Sequence, residues 1–366
     1  MSERRAEQLA AIAAGEGLDQ LFVGDLVHPS ETGREAGANL RWLTGFTGTS
    51  GLALVGPEER LFFTDFRYAE RATREVGNAF ERVTVEGGLI TDAAKRLRGR
   101  VGFDDAETSV RNLERLRELV PQGVELVAAS GLAERLRRRK DETELRLIAE
   151  AARLADEVYE WTYERGVVGR SEREIMLAAH QRLRELGADD PAFPAIVAAG
   201  ANSALPHHES SDREVKRDEF LLIDMGALVD GYCSDCTRTV ATGEPGGEAR
   251  DAYELVLAAQ RAGIEAIRPG VAGADADAAA RERIAAAGYE REFGHGLGHG
   301  VGLQLHEAPR LSRRSEETLE AGDVVTVEPG VYLPDRFGVR IEDLVTVTED
   351  GCRDFSGVTK ELRVVS

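Results

Sequence analysis

The sequence predicts a two-domain protein, an α/β domain followed by an α+β domain, and three observations predict it. Short β-prone runs alternate with helical ones over the first 130 or so residues, an arginine-rich segment then interrupts the pattern, and two rounds of paired helices with β-hairpin segments follow. The break falls at ERLRRRKDETEL, so the domains are expected to span residues 1–135 and 140–366. A chain of 366 residues is long enough to bury two cores.

In the first domain Ser2 to Glu16 reads as a helix. Leu21 to Val23, Arg41 to Phe46, Gly51 to Val55 and Arg60 to Thr64 read as strands. Further strands are expected from Arg100 and over Val124 to Ala128, with a helix between them from Thr108 to Leu119. In the second domain Asp141 to Arg165 and Ser171 to Leu186 read as amphipathic helices, the latter opened by a capping box of Ser171 and Glu174. Helices over Glu248 to Ile267 and Ala272 to Ala287 precede the last strands, and the repetition suggests internal pseudo-symmetry.

The segment FLLIDMGALVDGYCSDCTRTVAT, Phe220 to Thr242, places Asp230-Gly231 between two apolar β-prone runs, a strong two-residue hairpin signal. In that register Val229 pairs with Tyr232 and Asp224 with Thr237, so Asp224 and Asp235 project from one face. Their diagonal of roughly 7–8 Å suits carboxylates closing on a metal pair about 3.5–4 Å apart. Most of the 66 acidic residues are expected to be solvated surface charges. Two aspartates inside apolar strands differ, because a buried charge is costly unless it is paired or binds metal. Pairing with Arg238 or Arg340 is the structural alternative, set aside because it leaves a histidine cluster unexplained.

Five of the seven histidines fall in two segments: His207 and His208 in SALPHHES, and His295, His299 and His306 in FGHGLGHGVGLQLHEAP. Five alternating glycines, Gly294 to Gly302, predict irregular backbone that approaches a ligand closely. His28 and His180 read as ordinary surface or core residues. VVTVEPGVYLP places Glu328 at the end of an apolar strand, and FGVRIEDLVTVT places Glu342 inside another, on the same face as Arg340. Carboxylates with one imidazole and no thiolate suit Mn²⁺, Co²⁺, Fe²⁺ or Zn²⁺. Cys233 and Cys236 form a lone CxxC with Cys352 remote, which argues against a zinc or redox site and fits a reducing cytoplasm.

Taken together, LLIDMGALVDGYCSDCTRT, GHGLGHGVGLQLHE, VEPGVYL and GVRIEDLV resemble the pita-bread metallopeptidases, specifically Xaa-Pro dipeptidases (prolidases) and aminopeptidase P. The likeness is close from Arg139 to the C-terminus and looser over NLRWLTGFTGTSGLALV, which is similar to their non-catalytic, creatinase-like N-terminal domain. It implies a pita-bread catalytic domain with pseudo-two-fold symmetry, a homodimer, and two divalent metals, Mn²⁺ foremost. Asp224, Asp235, His299, Glu328 and Glu342 would be the ligands. His207 and His306 would handle substrate and protons beside His295, while His208 has no counterpart role. Glu328 would be the general base for a metal-bridging water, Arg340 would orient Glu342, and Arg310 and Tyr332 would line the substrate site. The implied reaction is hydrolysis of the bond preceding proline. An ectoine-type or other small-amide hydrolase of the same fold, and an inactive pita-bread domain that binds peptides or proteins, are the alternatives. The full ligand set argues against creatinase-like enzymes, and the extra N-terminal domain against methionine aminopeptidases.

A net charge of −20 disfavours nucleic-acid and anionic-membrane partners. No apolar run approaches a membrane span, so a soluble protein is expected, in the cytoplasm on its cysteine usage, and the resemblance implies a small peptide substrate. Only four of the 46 basic residues are lysines, and with the acidic excess this suggests a halophile.

Overall fold

The computed structural model describes residues 2–24, 37–106 and 108–366. The chain divides into two compact units, Met1–Arg137 and Arg138–Ser366. Among the described residues no helix is long and apolar enough to cross a membrane.

The first unit is built on one six-stranded mixed sheet. Its strands run, in spatial order, Glu81–Val85, Arg60–Asp65, Gly51–Val55, Gln20–Val23, Arg100–Phe103 and Glu125–Ala128. Gln20–Val23 pairs antiparallel with Gly51–Val55 and parallel with Arg100–Phe103, an α/β arrangement. Leu54, Leu61, Phe63 and Val101 form its core, each at most 1 % exposed. One expected strand is a helix: Ala38–Thr44 covers most of Arg41 to Phe46. Leu40, Trp42 and Leu43 are buried there, and a turn ending at Gly45 in the left-handed region closes the helix. Its burial on more than one side removed the period that would have separated helix from strand.

The second unit starts with Glu142–Glu164 and Glu172–Glu185, both opened by capping boxes, Asp141 with Glu144 and Ser171 with Glu174. Glu144 also accepts from the Tyr232 hydroxyl at 2.7 Å, tying the first helix to the hairpin. Phe220–Met225 lies between Cys236–Ala241 and Ile196–Ala199 in a three-stranded antiparallel sheet. Gly247–Ala266 and Gly273–Ala286 then precede a five-stranded sheet that includes Gly298–Gly300, Val324–Val327 and Asp343–Val347. Paired helices followed by antiparallel sheet thus occur twice.

The hairpin has the register read from the sequence, with Val229 opposite Tyr232 and Asp224 opposite Thr237. Asp230 and Gly231 both have positive φ, 46° and 78°, as a two-residue type I′ turn requires. Gly231→Val is therefore expected to lower stability by about 1–2 kcal/mol, read as a shift in the denaturation midpoint. A midpoint within error of the parent would refute that account of the turn.

Two expectations about backbone are corrected. The glycine segment is not wholly irregular: Gly298–Gly300 is a strand, with a bulge between His299 and Gly300. A Cβ on Gly298 would collide with the Thr326 carbonyl and one on Gly300 with the Ala308 carbonyl, so these glycines permit close strand packing. Glu342 lies between the Phe337–Arg340 and Asp343–Val347 strands rather than inside one, so it does not share a strand with Arg340.

Candidate metal centre

Each side chain of the centre is placed by a strand or its end. Asp224 sits in Phe220–Met225, and Asp235 immediately precedes Cys236–Ala241. His299 is central in Gly298–Gly300, Glu328 follows Val324–Val327, and Glu342 precedes Asp343–Val347. Asp224, Asp235, His299 and Glu342 are each at most 9 % exposed. One donor atom from each of Asp235, His299 and Glu342 falls within 4.8 Å of the others. His299 Nε2 lies 3.7 Å from Asp235 Oδ2 and 3.5 Å from Glu328 Oε1. The five residues face one cleft of about 410 Å³, with His207, His295, His306, Arg310 and Arg340 in its walls.

The electrostatics of this group favour a bound cation. Burial, then repulsion from Glu342, Asp224 and Glu328, pushes the Asp235 carboxyl well above its ordinary range. Burial and repulsion from Glu328 and Asp224 do the same to Glu342, and burial raises Glu328 to about 8. Burial also depresses His299 to about 4, so its imidazole is neutral at pH 7. With Nδ1–H donating to the Gly300 carbonyl at 3.1 Å, Nε2 presents a lone pair toward Asp235 and Glu328. Asp224 Oδ1 is buried without a hydrogen-bond partner. A neutral imidazole lone pair, an unpartnered carboxylate oxygen and three crowded carboxyls are the donor chemistry of a divalent metal, and the residues fit one.

Arg340 reaches this group differently from expectation. Its Nη2 donates to Asp224 Oδ2 at 2.6 Å, so the pairing set aside on sequence grounds is realised for one oxygen of Asp224. Its Nε donates to Thr237 Oγ1 at 3.0 Å, and that hydroxyl donates to Glu342 Oε2 at 2.6 Å. Arg340 thus touches Glu342 only through Thr237, which sequence reasoning missed, although the hairpin register already set Thr237 opposite Asp224. Arg340 Nη1 also donates to the Tyr332 hydroxyl at 2.9 Å, which lies 2.9 Å from His295 Nε2. Burial lowers His295 to about 4, and its Nδ1 is 2.8 Å from the Gly296 carbonyl, so Nε2 accepts from Tyr332. Tyr332 is fixed behind His295 and is not among the residues facing the cleft.

Arg238, the other proposed aspartate partner, pairs with Asp343 instead, at 2.7 Å. Cys233 and Cys236 are separate buried thiols and Cys352 is half-buried. His180 Nε2 accepts from the Ala195 N–H at 3.0 Å, a structural role. His28 lies outside the described residues. His306 is exposed, its ring centroid 4.3 Å from that of His299, and His207 is exposed at the cleft.

Antiparallel sheets that follow two helix pairs, with buried carboxylates and one imidazole gathered on their strands or strand ends, have the donor chemistry of a metal-dependent hydrolase. Residues 146–349 match the model of metallopeptidase family M24, and residues 5–139 match that of the creatinase/prolidase N-terminal domain. The chain belongs to metallopeptidase family M24 and carries the N-terminal domain of creatinases and prolidases. It is 40 % identical over 331 residues to YqhT, an uncharacterised peptidase of Bacillus subtilis strain 168, spanning 89 % of this chain and 93 % of that one. A solved Xaa-Pro dipeptidase from Bacillus anthracis superposes with a TM-score of 0.94 at 36 % identity, covering all of both chains. An X-Pro aminopeptidase from Thermotoga maritima MSB8 superposes at 0.89 with 33 % identity, over 99 % of this chain and 100 % of that one.

Proposed function

We propose that the protein hydrolyses the peptide bond preceding proline, using two divalent metals held by Asp224, Asp235, His299, Glu328 and Glu342. The observation that carries this is the buried donor set itself, in which neutral His299 aims a lone pair at carboxylates that burial cannot keep ionised without a cation. When bound, the metals supply Lewis-acid polarisation of the scissile carbonyl and acidify water. Glu328 faces the cleft, and with its carboxyl ionised by a bound cation it would be placed to take the proton of the attacking water. His306 and His207 offer N–H donors to the carbonyl oxygen as negative charge develops there. His295, turned toward Tyr332, stands beside the centre and holds Tyr332 and Arg340 in place.

Phe193, Ile196 and Leu305 give the cleft an apolar wall that suits a proline ring, and exposed Arg310 offers a cation to an anionic peptide end. An Xaa-Pro bond lacks an amide N–H, so the site needs no acceptor for one. We take the metal as Mn²⁺, with Co²⁺, Fe²⁺ or Zn²⁺ as substitutes, on the hard donor set. The same reading makes the enzyme a cytoplasmic homodimer, and the −20 charge supports activity in high salt.

Ala-Pro and Ala-Pro-Ala, each offered with Mn²⁺ in high salt and then with chelator, test the proposal. Chelator-sensitive cleavage of the dipeptide alone makes the enzyme a dipeptidase, and cleavage of the tripeptide an aminopeptidase. No cleavage of either by metal-loaded protein overturns the reading and favours a small-amide hydrolase. Loading itself should release protons, because carboxyls held protonated in the metal-free protein must ionise to ligate. Apparent Mn²⁺ affinity is expected to rise by about tenfold or more between pH 6 and 8, below the value near 8 of Glu328. Calorimetry in buffers of different ionisation enthalpy measures this, and pH-independent affinity would contradict it.

A further inference from the structure

The segment that brings His207 to the cleft is fastened on both sides. Glu172, the first residue of the Glu172–Glu185 helix, is 0 % exposed, and both of its oxygens are occupied. Oε1 accepts from the Ala199 N–H at 2.8 Å and from Asn202 Nδ2 at 2.9 Å. Oε2 accepts from the Ser211 N–H at 3.0 Å and the Ser211 hydroxyl at 2.6 Å, and lies 2.7 Å from His208 Nε2. Burial pushes this carboxyl up, but the bonds from Ser211, Ala199, His208 and Asn202 outweigh it and hold the group below its usual range. Glu172 is therefore an anion, and His208 Nε2–H donates to it. On the other side of His207, the Pro206 carbonyl accepts from Arg340 Nη1 at 3.3 Å, and the same guanidinium holds Asp224.

Ser171 and Glu174 already cap this helix, so the bonds of Glu172 are not used for capping. Glu172 has five, and three of them come from His208 and Ser211, on the C-terminal side of His207. Glu172 and His208 fix one flank of an otherwise exposed His207, while Arg340 fixes the other flank to the metal-binding strand.

We propose that Glu172 and His208 are positioning residues, whose buried pair sets where the His207 imidazole stands in the cleft. The inference rests on the reading of His207 as a substrate-binding group. His208→Ala in the metal-loaded full chain is expected to lower kcat/KM about 10- to 100-fold, the loss seen when a group supporting a site residue is removed, with metal content unchanged. The loss should divide between kcat and KM as it does in His207→Ala. The double variant should be no worse than His207→Ala alone, since nothing remains to position. His208→Gln, which keeps an N–H within reach of Glu172, should recover most of the activity.

In chelated protein, the ¹H–¹³C resonance of the His207 ring should shift or broaden in His208→Ala and return in His208→Gln. An unmoved resonance, or losses from His207→Ala and His208→Ala that multiply, overturns the positioning role. Full activity in His207→Ala overturns the reading of His207 instead, and the ring resonance then still decides whether His208 sets its place.

Discussion

Asp235→Asn is expected to reduce hydrolysis of Xaa-Pro substrate by at least about 10³-fold, the equivalent of several kcal/mol of lost Lewis-acid stabilisation. The same variant should bind less than the full complement of metal. Its stability should move the other way. In the metal-free protein, burial and three neighbouring carboxylates hold the Asp235 carboxyl above its unfolded value. The folded state then binds more protons than the unfolded one, so stability falls as pH rises from the unfolded pKa toward the folded one. Asparagine has no such proton to lose, so chelated Asp235→Asn is expected to melt higher than the chelated parent at pH 8. With metal the order reverses, because the parent gains more binding energy than the variant. A chelated variant that melts below the chelated parent would mark Asp235 as a structural group rather than a ligand.

Arg238→Gln is expected to cost about 3–5 kcal/mol of stability, the range found when one partner of a buried ion pair is removed. Arg238 is 1 % exposed. Its guanidinium donates to Asp343 and to the carbonyls of Thr237, Glu342, Val358 and Thr359. Asp343 is held below its ordinary range, with burial opposed by Arg238 and Lys360, and Gln260 donates to it at 2.8 Å. Glutamine would leave that aspartate with Lys360 and several carbonyls without donors. The Glu342 carbonyl is among them, so metal affinity should fall as well. Denaturant unfolding of metal-free protein measures the first effect and metal titration the second. A loss under 1 kcal/mol would mean that water or a rearranged Lys360 replaces the guanidinium.

The hairpin shows how much was legible locally. Asp230-Gly231 dictated a two-residue turn, the turn dictated the register, and the register placed Asp224 and Asp235 on one face. The Ser171 and Glu174 cap and the Glu142–Glu164 and Glu172–Glu185 helices were legible for the same reason, since caps and amphipathic periods are local. The Ala38–Thr44 helix was not, because burial on several sides hid its period.

The sequence by itself determined the two-unit organisation, the hairpin and the supply of hard donors, because turn chemistry, periodicity and residue type act within a few residues of one another. Only the tertiary structure decided who touches whom. Arg340 and Arg238 lie in different sheets from the carboxylates they hold, and from the sequence either arginine was a candidate partner for either aspartate. Folding gave Arg340 to Asp224 and Arg238 to Asp343, and it brought Glu172 against His208, 36 residues away in the chain. Such pairings depend on which strands lie side by side once the core has closed. No local rule of spacing contains that information.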